Sequence, residues 1–113
     1  MKAPSPAQLE SMVQEVVRRI VAGYDPLRII LFGSVAGDAW HAGSDIDLAV
    51  IKDVAEPFVE RAGAVLRLLR GIPCGVDVLV YTPEEFASML GRGSPFATEI
   101  ATRGKVVYER PGG

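Results

Sequence analysis

The side chains best suited to chemistry stand in one stretch: Gly33-Ser34, ten intervening residues, then Asp45-Ile46-Asp47. Ile29, Ile30, Leu31 and Phe32 lead into the glycine, and Leu48, Ala49, Val50 and Ile51 follow the second aspartate, so both ends of the stretch read as strands. Side chains two residues apart in a strand point to the same face, about 6.6 Å apart. Ionised carboxylates so placed repel each other and resist desolvation unless a cation lies between them. A hard divalent ion such as Mg²⁺, with its oxygen ligands and phosphate partners, answers that demand. Gly33 lets a backbone approach something bulky, and Ser34 offers a hydroxyl and a backbone N–H at a turn or helix start. Both suit a terminal phosphate.

The elements that must position these groups are clearly punctuated. Ser5-Pro6-Ala7-Gln8 supplies an N-cap, a proline at the first helical position and a capping-box partner. Leu9, Met12, Val13, Val16, Ile20 and Val21 then recur at helical spacing until Gly23. Residues 28–32 read as a short buried strand, 34–39 as a turn or short helix, and 45–51 as a second strand with Ile46, Leu48 and Val50 on one face. Residues 57–70 read as a helix whose inner stripe is Phe58, Ala62, Val65, Leu66 and Leu69, closed by Gly71. Residues 76–81 form a third strand, and Thr82-Pro83-Glu84-Glu85 repeats the helix-start grammar ahead of Phe86, Met89 and Leu90. Ser94-Pro95 starts another short helix ending near Gly104, residues 105–109 give a fourth or edge strand, and 111–113 are a frayed tail.

This alternation predicts a mixed α/β (α+β) sheet of about four strands with helices packed on it, in a single domain over 1–113. The short excursion between the first two strands suits an antiparallel pair. The long helix between the second and third suits a parallel crossover. The start of the third strand then lies beside the start of the second, which brings Asp77 next to Asp45 and Asp47, with Val76, Val78 and Val80 on the opposite face. Three carboxylates are thus expected at one end of the sheet, facing the turn that carries Gly33 and Ser34. There Asp45 and Asp47 would hold Mg²⁺ bridging the phosphates of a nucleotide, and Asp77 would ligate a second metal and accept the proton of an attacking hydroxyl.

At these residues the chain resembles the nucleotidyltransferase superfamily with the DNA polymerase β-like fold, whose signature is Gly-Ser, ten residues, Asp-x-Asp and a third acidic residue on a later strand. More narrowly it resembles the minimal nucleotidyltransferases of prokaryotes, often encoded beside a helical HEPN-domain protein. The resemblance implies AMP transfer from ATP, with Mg²⁺, onto a hydroxyl. In the paired systems it implies an antitoxin that adenylylates a tyrosine of the HEPN toxin, in a hetero-oligomer. Larger members of the superfamily carry an extra domain that grips the acceptor, so here the acceptor is expected to be bound either on a shallow surface or by another polypeptide, a complex with a helical protein being the natural solution. One departure stands out: the family often has Ala-Arg-Gly after the Gly-Ser pair, where this chain has Val35-Ala36-Gly37-Asp38. Lys52, Arg61 and Arg103 are the candidates for the arginine's part. The departure keeps a second reading open, a binding subunit that neutralises its partner by occupancy alone. A stand-alone enzyme for a small hydroxylated molecule such as an aminoglycoside is a third.

Composition bounds these readings without choosing among them. The 113 residues are half hydrophobic and about a quarter charged, with a net charge of −2, so a broad electrostatic attraction to nucleic acid is not expected. Nothing approaches the roughly 18 consecutive apolar residues of a membrane span, no secretory signal opens the chain, and one cysteine suits a reducing cytoplasm. Cys74, beside a valine-rich strand, reads as a small buried hydrophobe. His41 has no clustered partner for a zinc site and reads as a solvated loop residue. Trp40 either packs under its loop, stacks on a nucleobase or docks a partner. Arg61, Arg67 and Arg70 read as the solvated outer face of their helix, and Met12 and Val17 either join the core or form a strip facing a partner.

Overall fold

The computed structural model describes residues 5–33 and 45–112. Ser34, the turn or helix expected at 34–39, Trp40 and His41 lie outside the described residues.

Helix α1 (Pro6–Tyr24) starts on the expected capping box: the Ser5 hydroxyl accepts from the Gln8 N–H, and the Gln8 side chain accepts from the Ser5 N–H. It runs one residue past Gly23. The left-handed residue that ends it is Asp25, at φ 52°. Gly23 serves packing instead, because a Cβ there would press on the Leu68 side chain.

Strands β1 (Arg28–Phe32), β2 (Ile46–Ile51), β3 (Val76–Tyr81) and β4 (Lys105–Glu109) form one sheet in the order β3-β2-β1-β4. The β1–β2 pair is antiparallel and the β2–β3 pair parallel, as the connection lengths require. β4 pairs antiparallel with β1 through an irregularity at Ile29/Ile30.

Helix α2 (Phe58–Leu66) passes into a 3₁₀ turn (Arg67–Leu69), while α3 (Pro83–Gly91) and α4 (Pro95–Arg103) follow β3. One face of the sheet packs Ile29, Leu31, Ile46, Leu48, Val50, Val78 and Val80 against α1 and α2, through Val13, Val16, Ile20, Val65 and Leu69. The other packs Ile30, Ala49, Ile51 and Tyr81 against Phe86, Ala97 and Ile100 of α3 and α4. Met12 and Val17 are partly buried against the first of these cores.

The stripe expected for α2 is rotated. Arg61 and Val65 are its buried residues, whereas Phe58 and Leu66 are each 42% exposed. Arg61 was expected outside and is 7% exposed. Its guanidinium forks onto Glu85 at 2.6 and 3.2 Å and donates to the carbonyls of Glu56 and Val80. Glu85 in turn accepts from the Thr82 N–H at the start of α3. A buried guanidinium is tolerable because these partners take up its donors.

Candidate active site

β2 turns Asp47 away from the α1/α2 core because its side chains alternate. Ile46, Leu48 and Val50 fill the α1/α2 core, so Asp47 shares the opposite face with Ala49 and Ile51. Asp45 stands just before the strand, and the Ile46 N–H donates to the Gly75 carbonyl at 2.9 Å, tying the start of β2 to the start of β3. The parallel register then sets Asp47 opposite Asp77. On the other side the antiparallel register sets Asp47 opposite Phe32.

Gly33 follows Phe32 at φ 77°, a conformation that L side chains rarely adopt. A Cβ on Gly33 would overlap the Asp47 Oδ2, so the backbone of this turn is drawn against the carboxylate. Asp45 is turned toward β3, where a Cβ on Gly75 would overlap its Oδ1. Asp45 and Asp77 are exposed, and Asp47 is partly buried.

The electrostatics follow from this placement. Burial pushes the Asp47 carboxyl above the usual range, and the neighbouring Asp77 raises it further by repulsion and by a carboxyl–carboxylate hydrogen bond; Asp45 adds a smaller repulsion. The structure therefore brings Asp47 and Asp77 together, with Gly33 beside them and Asp45 at the margin. Among the described residues, no three His, Cys, Asp or Glu side chains cluster tightly enough to hold a metal ion by themselves.

None of the basic residues expected to replace the family's arginine is tied to this rung. The Lys52 ammonium, beyond the far end of β2, donates to the carbonyls of Tyr24 and Asp25 and lies over the Tyr24 ring. Arg61 is engaged by Glu85, and Arg103 stands exposed in the last turn of α4. Cys74, half-buried beside the site, has its thiol pushed up by burial, which leaves it a poor nucleophile at neutral pH.

The sequence reading missed an aromatic wall. The Phe32 ring meets Phe96, at the start of α4, edge-to-face with centroids 5.7 Å apart, and Phe96 remains 39% exposed. The alternation Ile30, Phe32 already assigned Phe32 to the aspartate face. Nothing local pointed to Phe96, which comes from a helix more than sixty residues later.

The profile of the polymerase beta nucleotidyltransferase family matches residues 15–112. No curated protein matches the chain in sequence. Among solved structures, a candidate nucleotidyltransferase from Sulfolobus solfataricus superposes with a TM-score of 0.61 at 21% identity, over 100% of this chain and 96% of that one. A toxin–antitoxin complex, MntA–HpeT carrying two Asp-to-Glu substitutions, matches with a TM-score of 0.60 at 18% identity, over 87% of this chain and 73% of that one. A complex of a tri-AMPylated HEPN toxin with its MNT antitoxin from Shewanella oneidensis matches with a TM-score of 0.56 at 17% identity, over 89% and 72%. A four-stranded mixed sheet, an Asp-x-Asp strand start beside the Gly33 turn, and a family profile that spans all but the ends of the sequence agree: this chain belongs to the polymerase beta nucleotidyltransferase family.

Proposed function

We propose that the chain is a Mg²⁺-dependent nucleotidyltransferase that moves AMP from ATP to a hydroxyl, that of a tyrosine, on a HEPN-domain toxin, and so acts as its antitoxin in a cytoplasmic hetero-oligomer. The observation that carries this reading is the Asp47–Asp77 rung beside the Gly33 turn. Two facing carboxylates, one of them partly buried, with no ion pair to a basic side chain among the described residues, fit a hard divalent ion better than they fit a bare protein surface. Asp45, Asp47 and Asp77 would hold Mg²⁺, which when bound would neutralise the carboxylates and the phosphates they face.

The remaining work falls to the chain itself. Gly33, with Ser34 after it, admits the terminal phosphates to the turn. The acceptor oxygen attacks the α-phosphorus, the bond from that phosphorus to the pyrophosphate oxygen breaks, and pyrophosphate leaves. Asp77 takes the hydroxyl proton, being exposed on the outer strand β3, where an acceptor can approach. The half-exposed Phe96 and Phe32 wall the same face. The solved toxin–antitoxin relatives support the choice of donor and acceptor: one is described with AMP-PNP, another with a tri-AMPylated HEPN toxin.

The test is intact-mass measurement of the HEPN partner after incubation with the chain, ATP and Mg²⁺. Each transfer should add about 329 Da, the mass of AMP less water, on tyrosine, and the Asp45→Asn chain should add none. Equal spectra from the two chains would overturn the enzymatic reading. A second reading, neutralisation by occupancy alone, is favoured by Lys52 and Arg61 being engaged elsewhere in a chain that lacks the family's arginine. It requires that Asp47→Ala and Asp77→Ala chains still silence the partner.

A further inference from the structure

Helix α2 turns a face to solvent that the fold does not use. Val59, Gly63 and Leu66 succeed one another at steps of four and three residues, which sets them on one side of the helix, away from buried Arg61 and Val65. Val59 is 84% exposed and Leu66 42%. A Cβ on Gly63 would meet nothing, so packing within the chain does not require a glycine there. In a helix interior that glycine costs roughly 1 kcal/mol relative to alanine. Alongside, one turn either way, stand Glu60 and Arg67, both exposed and without an ion-pair partner among the described residues.

The arrangement is complementary to itself. When two copies of α2 cross antiparallel about a two-fold axis at Gly63, the flank of one helix faces the same flank of the other, with its order reversed. Val59 then meets Leu66 of the second copy, twice, on the apolar flank. Glu60 meets Arg67 of the second copy, twice, on the charged flank. Gly63 meets itself at the crossing, where the absent side chains let the backbones approach closely. Glu56 before the helix and Arg70 after it extend the same gradient, acidic at the start and basic at the end.

We infer that α2 is the interface of an isologous homodimer, its occupant a second copy of this chain. A partner of one charge would satisfy only half of the flank, whereas a reversed copy satisfies both halves. The contact is short, which places it among weak, reversible interfaces.

Sedimentation equilibrium of the full chain, from micromolar to millimolar concentration, tests it. The expected result is a reversible monomer–dimer equilibrium, weakened about tenfold or more by Gly63→Leu, which holds the helices apart. Glu60→Arg and Arg67→Glu should each weaken it as well, and the double exchange should restore it at low salt. A strict monomer throughout the range would overturn the inference. So would a dimer that persists unchanged in Gly63→Leu and in both single charge reversals. Gly63 and its neighbours lie on the sheet face opposite Asp47, so these variants should leave the nucleotide site and circular dichroism unaltered.

Discussion

Asp47 and Asp77 occupy the same rung of the parallel β2–β3 pair, two carboxylates held face to face by backbone register alone. Removing either charge should relieve repulsion in the metal-free protein. Asp47→Asn is therefore expected to raise stability by about 1 kcal/mol, a few degrees in Tm, while reducing AMP transfer by at least roughly a hundredfold. Thermal unfolding with and without Mg²⁺ checks the first half. Added Mg²⁺ should raise the Tm of the parent chain and leave the variant's nearly unmoved.

The Gly33 turn should tolerate no side chain. Gly33→Ala meets two penalties, the left-handed φ of 77° and collision with the Asp47 Oδ2. The backbone term alone costs roughly 1–2 kcal/mol. Because the collision can be relieved only by moving the carboxylate, transfer should fall further than stability does. Tm and the rate of AMP transfer, measured on one preparation, separate the two effects.

Much of this arrangement was legible in the residues. Apolar runs cut off by Gly33 and Gly71 marked the first strand and the end of the second helical segment. The connection lengths told antiparallel β1–β2 from parallel β2–β3, and with that register Asp77 had to stand beside Asp47. The face of α2 was not legible. Arg61 and Val65 share its buried side, but a lone arginine is assigned to solvent by default, which turned the expected stripe toward Phe58 and Leu66. Its burial depends on Glu85, two elements later, and no local pattern encodes that pairing. Phe96 escaped for the same reason. α1 runs one residue past Gly23 because Asp25 adopts the left-handed conformation usually reserved for glycine.

Arg61 offers a way to separate scaffold from chemistry. Arg61→Met removes the donors of the Glu56 and Val80 carbonyls and frees Glu85 from its ion pair. A loss of about 2 kcal/mol is expected, near 10 °C in Tm for a domain of this size. Below the melting range, AMP transfer should stay within about twofold of the parent, since Arg61 faces the C-terminal half of β3 and Asp47 stands at its start. A large fall in turnover at unchanged secondary structure would instead make Arg61 the substitute for the missing arginine.

The same pair sets an acid limit. The Arg61 guanidinium, and then the Thr82 N–H, hold the Glu85 carboxyl below its usual range. In the unfolded chain Glu85 binds its proton at a higher pH than in the folded one. The contribution is therefore complete above the unfolded value of about 4.3 and disappears as pH falls through the folded value. Glu85→Gln keeps an acceptor for the Thr82 N–H but not the charge. It should lower stability by about 1 kcal/mol at pH 7, a modest figure because Glu85 is 42% exposed to solvent. The gap between parent and variant should narrow progressively as pH falls from 5 through the unfolded value of about 4.3 and below it, and urea unfolding at a series of pH values reads it directly. Glu15, held at about 2 by hydrogen bonds from Arg18 and Arg19, gives both chains the same acid slope and so cancels in the difference. A gap that stayed constant through that interval would mean that Glu85 acts through packing and its hydrogen bond to Thr82, not through its charge.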